Sequence, residues 1–356
     1  MRKRITVILS VFLLFQILGL QILKHYPEVV EKYYSQGIYI VISKSLRFLL
    51  GWIPFSVGDL VYTAIGIFAL RWIYINFRRW RKEFHWMILE IVATFSVIYF
   101  IFHLFWGLNY YRKPLHEFLQ IKNEYTQEEL IQSTHYFIQK SNQLHQSLVN
   151  YDSLVVPVPY TQKEFYQKTA NGYQRLQQEF SHLSYAPKSI KNSLYSLFLT
   201  YMGYSGYLNP LTGEAHVNSL ITTYKFPVVA CHEEAHQIGF AAENEANFIA
   251  TLATLYNDDP YIQYAGSIFA LQYLLVDVAR NDREQFEALR SEVAPGILES
   301  YREMNAFWEQ YENPFEIVFI TLWDNFLKAS NQSQGIRSYS YVVALIVNYD
   351  FEKMRL

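Results

Sequence analysis

The sequence predicts a mainly α-helical protein in which three N-terminal transmembrane helices precede a mostly helical α+β domain with a small sheet. Three observations predict this class. The segments that are long and apolar enough to span a bilayer lie within the first 112 residues. Capping signals followed by helical periodicity recur along the rest of the chain. Turn residues and alternating patterns cluster between residues 203 and 223, which is typical of short strands. We therefore divide the chain into a membrane anchor, residues 1–112, and an extracytoplasmic domain, residues 113–356.

The transmembrane helices are predicted at about residues 5–23, 57–77 and 86–108. The first follows Arg2-Lys3-Arg4 and lacks a small-residue cleavage site, so it is interpreted as an uncleaved anchor. A basic run from Arg78 to Lys82 separates the second helix from the third. By the positive-inside rule, this run and the N-terminus are cytoplasmic, and three crossings place the following domain outside the cytoplasm.

Two further features of the anchor concern charged residues. Arg71 and Glu90 fall inside predicted spans, where they either pair at one depth or Arg71 extends its charge to the membrane surface. Residues 38–50 form an amphipathic stretch that we expect to lie along the outer membrane interface. A fourth transmembrane helix is not favoured there, because Lys44 and Arg47 interrupt the apolar run.

The predicted extracytoplasmic domain begins with two helices marked by capping boxes. Thr126 with Glu129, and Thr161 with Glu164, begin helices over residues 127–149 and 162–183. Apolar periodicity predicts further helices near the C-terminus, at residues 261–280, 283–293, 298–311, 315–329 and 338–349. The strands predicted between residues 203 and 223 precede the segment that carries the strongest chemical signal.

That signal is the hexapeptide Cys231-His232-Glu233-Glu234-Ala235-His236. Residues four apart lie on one face of a helix, so His232 and His236 can present two imidazole nitrogens to one metal ion. Zn²⁺ suits two imidazoles, a carboxylate and an open position, and Glu233 can then deprotonate a zinc-bound water. The alternative is a solvated helix that carries these residues by chance. The apolar sequence context favours the metal site, because buried histidines need partners for their nitrogens.

The third ligand is predicted from helix geometry. In an unbroken helix, Glu243 would lie about 10 Å beyond His236, which is too far to share a metal. Gly239 is a natural helix end, so a second helix beginning near Ala241 can bring Glu243 back. Glu245 is the substitute ligand, or otherwise a solvated acid in the first turn. Asn247, one turn after Glu243, is expected to orient that ligand through a hydrogen bond.

Several segments resemble known families. HExxH followed by a downstream Glu resembles the gluzincin-like metallopeptidases, which implies His232, His236 and Glu243 as zinc ligands and Glu233 as general base. The interval from His236 to Glu243 is shorter than in typical gluzincins. The chain also resembles the bacterial membrane proteins of domain of unknown function 3810, in Ile53–Asp59, Trp106–Arg112, the HExxH block with Glu243–Phe248, and Gly335–Ser340. This resemblance implies a zincin-like domain anchored in the bacterial inner membrane by several crossings, without indicating a substrate.

Other residues are weaker candidates for contact with the site or the substrate. His216 and Asn218 lie on the predicted strand, although a surface position is favoured for His216. Tyr339 and Tyr341, near the start of the last helix, could stabilise an oxyanion, and a core or interface position is the alternative. Cys231 is the only cysteine, and it is expected to be a buried structural thiol.

Composition and motif together predict the function. A net charge of −2 gives no basic surface for nucleic acid, so the expected partners are the lipid bilayer and a peptide or protein substrate. The leading hypothesis is a membrane-anchored, Zn²⁺-dependent peptidase. The alternatives are a non-catalytic membrane scaffold or assembly factor with a structural or vestigial zinc site, and a zinc hydrolase of a non-peptide amide in the cell envelope.

Overall fold

The computed structural model describes residues 2–335 and 341–351. Its membrane-side part contains a π-helix, Val30–Ile38, and five α-helices: α1 Arg2–Leu23, α2 Pro27–Val29, α3 Tyr39–Leu50, α4 Val57–Asn76 and α5 Phe84–Phe105. The rest of the described chain contains, in order, α6 Leu115–Phe118, α7 Gln127–Leu148, α8 Gln162–Glu179, β1 Ile190–Asn192, α9 Ser196–Tyr201, β2 Gly206–Asn209, β3 Glu214–Val217, α10 Lys225–Gln237, α11 Glu243–Leu255, α12 Pro260–Asn281, α13 Arg283–Ser291, α14 Pro295–Glu309, α15 Glu316–Ala329 and α16 Val342–Asn348.

Four helices among the described residues are long and apolar enough to cross a membrane: Lys3–Leu23, Val57–Arg81, Phe84–Phe105 and Pro260–Asn281. The first three coincide with the segments predicted from the sequence. The fourth corresponds to α12, and 67% of its apolar window is buried inside the protein, so it packs as a core helix. The protein is thus a mainly helical membrane protein.

The helices of the membrane-side part differ in how they pack. α1 and α5 lie against each other, and Gln16 Nε2 donates to Ser96 Oγ across them at 2.8 Å. α4 is buried in its first turn, at Gly58 and Asp59, and is largely exposed beyond it. Of the two alternatives for Arg71, pairing with Glu90 is not found among the described residues. Arg79 in the basic turn reaches Glu90 instead, with a nitrogen–oxygen distance of 3.2 Å.

The predicted amphipathic stretch 38–50 is helical, and three of its polar residues point inward, whereas Lys44 and Ser45 are exposed. Tyr39, Ser43 and Arg47 lie one turn apart on one face of α3 and are buried. The opposite face exposes apolar side chains, among them Val41 and Phe48. This inverted pattern leaves an apolar outer surface beside the spanning helices.

A layered helical core positions α10 and α11. Both predicted capping boxes are present, at Thr126 and Thr161, and they begin α7 and α8. α10 and α11 pack side by side between α8 and α12, and α7 covers α12 on its other side. Gly172 of α8 is essential to this packing, because a Cβ there would lie 1.8 Å from the carbonyl oxygen of Ala253.

The small sheet lies next to α10, in the order β1-β3-β2. β1 runs parallel to β3, and β2 runs antiparallel to it, with Tyr207 opposite His216. Short strands are therefore present between residues 203 and 223, as predicted, and β1 was not predicted. β2 is an edge strand, and its residues Gly206, Tyr207 and Leu208 line the cleft above α10.

Candidate metal centre

The helix that carries the HExxH motif ends where the sequence predicts. Gly239 has φ of +96°, a conformation that side chains with a Cβ rarely adopt. The N–H of Gly239 donates to the carbonyl of His236 at 3.0 Å, and that of Phe240 donates to the carbonyl of Ala235 at 3.2 Å. These two bonds form a Schellman cap, which satisfies the last carbonyls of α10 and reverses the chain.

The reversal brings three predicted ligands together. α11 begins at Glu243, and one carboxylate oxygen of Glu243 lies 3.2 Å from His232 Nε2 and 3.7 Å from His236 Nε2. The potential donor atoms of the three residues all lie within 4.8 Å of one another. Glu243 and His236 are buried, and His232 is partly exposed toward the cleft.

The other nitrogen of each imidazole is held by an oxygen of the protein. His232 Nδ1 donates to Asn247 Oδ1 at 2.9 Å, and His236 Nδ1 donates to the carbonyl of Phe240 at 2.6 Å. Asn247 therefore orients His232 rather than the predicted Glu243, while its amide nitrogen donates to Tyr273 at 3.3 Å. When the imidazoles are neutral, these bonds place the proton on Nδ1 and leave both Nε2 atoms available to a metal.

The charges of the three residues are strongly coupled. Burial would raise the pKa of Glu243, but the two imidazoles outweigh burial and hold this pKa well below its usual value. Burial disfavours the charged imidazolium and so lowers the pKa of His232. For His236, the carboxylate of Glu243 overcomes burial and raises the pKa to about 9. The cluster thus combines an ionised carboxylate with two imidazoles that compete for one positive charge.

Glu233 faces the same cleft on the adjacent face of α10. Its side chain is buried, and its Oε2 has no hydrogen-bond partner in the described part of the chain. Burial raises the pKa of Glu233 to about 8. Gly206 of β2 leaves the space that this carboxylate occupies, since a Cβ there would lie 2.6 Å from Glu233 Oε1. A carboxylate with these properties is suited to accept and donate a proton.

The family described as Protein of unknown function (DUF3810) matches residues 34–347. The chain belongs to this family. The match runs from the π-helix to α16, so it includes every residue of the cluster in the DUF3810 chain. No curated protein and no solved structure matches the chain.

Membrane-side residues hold the loop after α10, and the sequence reasoning did not find them. Ser43 Oγ and Tyr39 Oη donate to the carbonyl of Gln237 at 2.7 and 3.0 Å. Trp106 Nε1 donates to the carbonyl of His236 at 3.2 Å, and Arg112 donates to that of Gly239 at 2.8 Å. We call Tyr39, Ser43, Trp106 and Arg112 the membrane-side brace. Its signals in the sequence were the polar stripe of α3 and the segment Trp106–Arg112, which carried the family resemblance.

Tyr110 is a further residue that was not predicted from the sequence. Its side chain is buried and lines the cleft, and its hydroxyl has no hydrogen-bond partner among the described residues. Burial, followed by the nearby charge of Glu243, raises the pKa of Tyr110 well above its usual value. A neutral phenol of this kind can donate a hydrogen bond to a ligand in the cleft.

The remaining candidates lie away from the three-residue cluster. Glu245 is buried, so the expectation of a solvated acid is wrong; its carboxylate accepts from the N–H of Leu115 at 2.6 Å because α11 is covered there by the chain leading into α6. Asn218 is buried and holds the loop before β2 through the carbonyl of Tyr204 at 3.1 Å. Tyr341 is exposed, and Tyr339 lies outside the described residues.

The favoured surface position of His216 is also wrong. This side chain is fully buried, and its Nε2 lies 2.7 Å from Ser56 Oγ at the start of α4. Tyr207 stacks on the His216 ring and donates from its hydroxyl to Asp59. Packing of α4 against the sheet therefore covers a residue that the strand pattern left exposed. Cys231 is buried, as predicted.

Proposed function

We propose that this DUF3810 protein is a membrane-anchored zinc-dependent peptidase with a zincin-like domain. The observation that carries the proposal is the convergence of His232 Nε2, His236 Nε2 and a Glu243 oxygen, with the unpartnered carboxylate of Glu233 in the same cleft. His232, His236 and Glu243 would hold the metal, and Glu233 would be the catalytic residue.

The donor set fits zinc by its chemistry. Two imidazoles and one carboxylate form a usual ligand set of catalytic zinc, and each imidazole has the oxygen partner expected behind a metal ligand. When bound, zinc supplies Lewis acidity that polarises a carbonyl and lowers the pKa of a water. The described cluster offers three protein ligands, whereas a structural zinc site would hold the metal with four.

Glu233 would perform the proton transfers. Its buried carboxylate takes a proton from the attacking water and then gives it to the leaving amine. Tyr110 would donate a hydrogen bond to the developing oxyanion, since its hydroxyl is free and lines the same cleft.

The edge strand β2 supports a peptide as the substrate. β2 pairs with β3 on one side only, and residues 205–208 line the cleft. An extended peptide could add to this edge through main-chain hydrogen bonds and so present a peptide bond to the metal cluster. A non-peptide amide of the cell envelope would lack the main-chain N–H and C=O groups that pair with a strand edge.

The proposed topology is a multi-pass protein of the bacterial inner membrane with its N-terminus in the cytoplasm. Lys3 lies over the ring of Trp86 at 4.6 Å, so the start of α1 is near the start of α5 and the basic turn that precedes it. The metal cluster lies beyond the opposite end of α5, next to Trp106. This arrangement supports an extracytoplasmic site under the positive-inside rule.

Peptide hydrolysis by Glu233→Gln, compared with wild type and Glu234→Gln, tests the proposal. Glu234 is a matched control because it is also buried but lies on another face, where it accepts a hydrogen bond from Thr169. We expect Glu233→Gln to retain zinc and to lose activity by a factor on the order of 10²–10⁴, with Glu234→Gln remaining active. If Glu233→Gln retained zinc and full cellular function, the result would instead support a non-catalytic scaffold. If the wild-type protein cleaved only non-peptide amides, the result would support the envelope hydrolase.

A further inference from the structure

The cleft above the metal cluster is walled partly by helices that span the membrane. It has a volume of about 650 Å³. Tyr62 of α4 and Phe102 of α5 line it together with His232 and Glu233. Tyr62 lies about 7.5 Å along the helix from Val57, and Phe102 is in the last turn of α5, so both side chains belong to the outer ends of predicted spans.

α15 and the loop that follows α9 line two further sides of the cleft. Tyr195, just before α9, donates from its hydroxyl to the carbonyl of Asp59 at 2.9 Å and contacts Thr63, which attaches α9 to the first turns of α4. Phe326 of α15 packs edge-on against Phe102 with ring centroids 6.0 Å apart, which attaches α15 to the end of α5.

The same two short helices are joined to each other. Asn313 Nδ2 donates to the carbonyl of Tyr201 at 2.7 Å, and Tyr204 packs edge-on against Trp323. A chain of contacts therefore runs from α4 through α9 and α15 to α5. The remaining side lies between α4 and α5, which form no extensive backbone packing with each other in the described part of the chain.

The outer surface of this ring is apolar. Leu197 and Phe198 of α9 are 52% and 66% exposed, and Ile317 and Leu322 of α15 are 73% and 62% exposed. This surface is continuous with the exposed apolar length of α4 and α5, since α9 and α15 touch those helices directly. Exposed apolar area of this extent is covered by a membrane rather than by water.

We infer that the cleft opens sideways into the outer half of the bilayer between α4 and α5, and that its substrates are peptide segments joined directly to a membrane-embedded apolar helix. The inference rests on the proposed function for the reaction itself. The helix of the substrate would enter between α4 and α5, and the segment that follows it would extend along β2 to the metal cluster. Phe102 at the end of α5, with Ile320 and Trp323 of the adjoining α15, would contact the apolar end of the substrate, because all three line the cleft.

Photo-crosslinking in vesicles of phosphatidylethanolamine and phosphatidylglycerol tests this inference without requiring hydrolysis. Zinc-loaded, full-length Glu233→Gln protein would carry p-benzoylphenylalanine in place of Ile320, with the same group in place of exposed Arg283 as the background control. The probes are pools of random-sequence peptides in three forms: free in solution, joined directly to a spanning Leu/Ala helix, and joined to that helix through a long Gly/Ser spacer.

We expect the direct junction to crosslink at position 320 about tenfold more than either other probe, because only this form is held at the cleft by a helix between α4 and α5. Equal or greater crosslinking of the spaced probe would overturn lateral entry, since both tethered forms are equally concentrated at the membrane. Preferred capture of the direct junction, combined with no hydrolysis by wild type, would preserve lateral entry and refute the proposed chemistry.

A lipid-contact measurement covers the case in which no peptide is captured. Single cysteines at Ile317 and Leu322, labelled with a fluorophore, should be quenched by brominated lipids to the extent seen at Leu70 of α4. The native Cys231 is buried and contributes little labelling. A label at Arg302 of α14, which is exposed, serves as the solvent control. Quenching at α15 no greater than at Arg302 would contradict a membrane-facing cleft.

Discussion

The hairpin formed by α10 and α11 and the membrane-side brace are both buried, but their polar groups differ in what they contact. In the hairpin, the Nε2 atoms of His232 and His236 and the carboxylates of Glu233 and Glu243 point into the cleft. In the brace, polar side chains donate to the backbone of the hairpin, and the apolar side of α3 faces outward. The difference teaches that the polar groups of the hairpin are left available to a ligand, whereas those of the brace are used up in holding the hairpin.

The largest expected effect is on the stabilisation of the hairpin by zinc, when a metal ligand is removed. If the cluster binds zinc, zinc at a thousandfold excess over its Kd should raise the free energy of unfolding by about 4 kcal/mol, because only the folded chain presents the three donors together. His232→Ala should abolish this increase. The measurement is thermal or denaturant unfolding of detergent-solubilised protein with zinc and with a chelator. His135→Ala, which changes an exposed histidine, should keep the full zinc effect.

A substitution where the two regions meet should have the next largest effect. Gly239→Ala places a Cβ at a residue with φ of +96° and only 2.9 Å from the ring of Tyr39, so we expect a loss of about 2–3 kcal/mol in stability. Tyr39→Leu should relieve the contact but not the backbone strain. A double-mutant cycle measured by unfolding would then show favourable coupling. Purely additive effects would mean that the brace does not contact the hairpin as described.

Acidification should weaken a second link between the membrane side and the domain. Burial lowers the pKa of His216 to about 4, against the opposing influence of Asp59 and Glu214 and with a smaller contribution from Lys191. Because the unfolded chain binds a proton near pH 6.5 and the folded chain does not, this contribution to stability is complete above pH 6.5. It is lost as pH falls toward 4, by at most about 1.4 kcal/mol per pH unit. Between pH 4 and 6.5, the free energy of unfolding should depend less steeply on pH in His216→Gln than in wild type. An equally steep dependence in the variant would show that His216 is not the cause.

A single hydrogen bond of the brace should have the smallest effect. Tyr39→Phe removes the donor to the carbonyl of Gln237, which still accepts from Ser43, so we expect a loss of about 1 kcal/mol. Zinc affinity should change little, because neither metal-facing nitrogen is touched. Zinc titration and unfolding of the same preparation check both statements. A large fall in zinc affinity would show that the brace positions the ligands directly.

The local features of the hairpin were predictable from sequence, because they depend on short-range rules. The spacing of His232 and His236 gives a shared helix face, and Gly239 supplies the left-handed cap that brings Glu243 back. The capping boxes at Thr126 and Thr161 follow from the same kind of local chemistry.

The brace was not predictable in this way, because its partners lie far away along the chain. The polar stripe of α3 resembled the solvent side of an interfacial helix, yet its hydroxyls bond to Gln237, almost 200 residues later. His216 and Glu245 were misjudged for the same reason, since α4 and the chain before α6 cover them from distant parts of the sequence. Burial that arises from tertiary packing leaves no mark on the local pattern.

Zinc content of purified Glu243→Gln and Glu245→Gln, each compared with wild type, tests the central claim most directly. Both glutamates lie in the first turn of α11 and both are buried, but only the carboxylate of Glu243 faces the two imidazoles. We predict one zinc per chain in wild type and in Glu245→Gln, and a strong loss of zinc in Glu243→Gln. Equal zinc content in the two variants, or wild-type protein without stoichiometric zinc, would contradict the account.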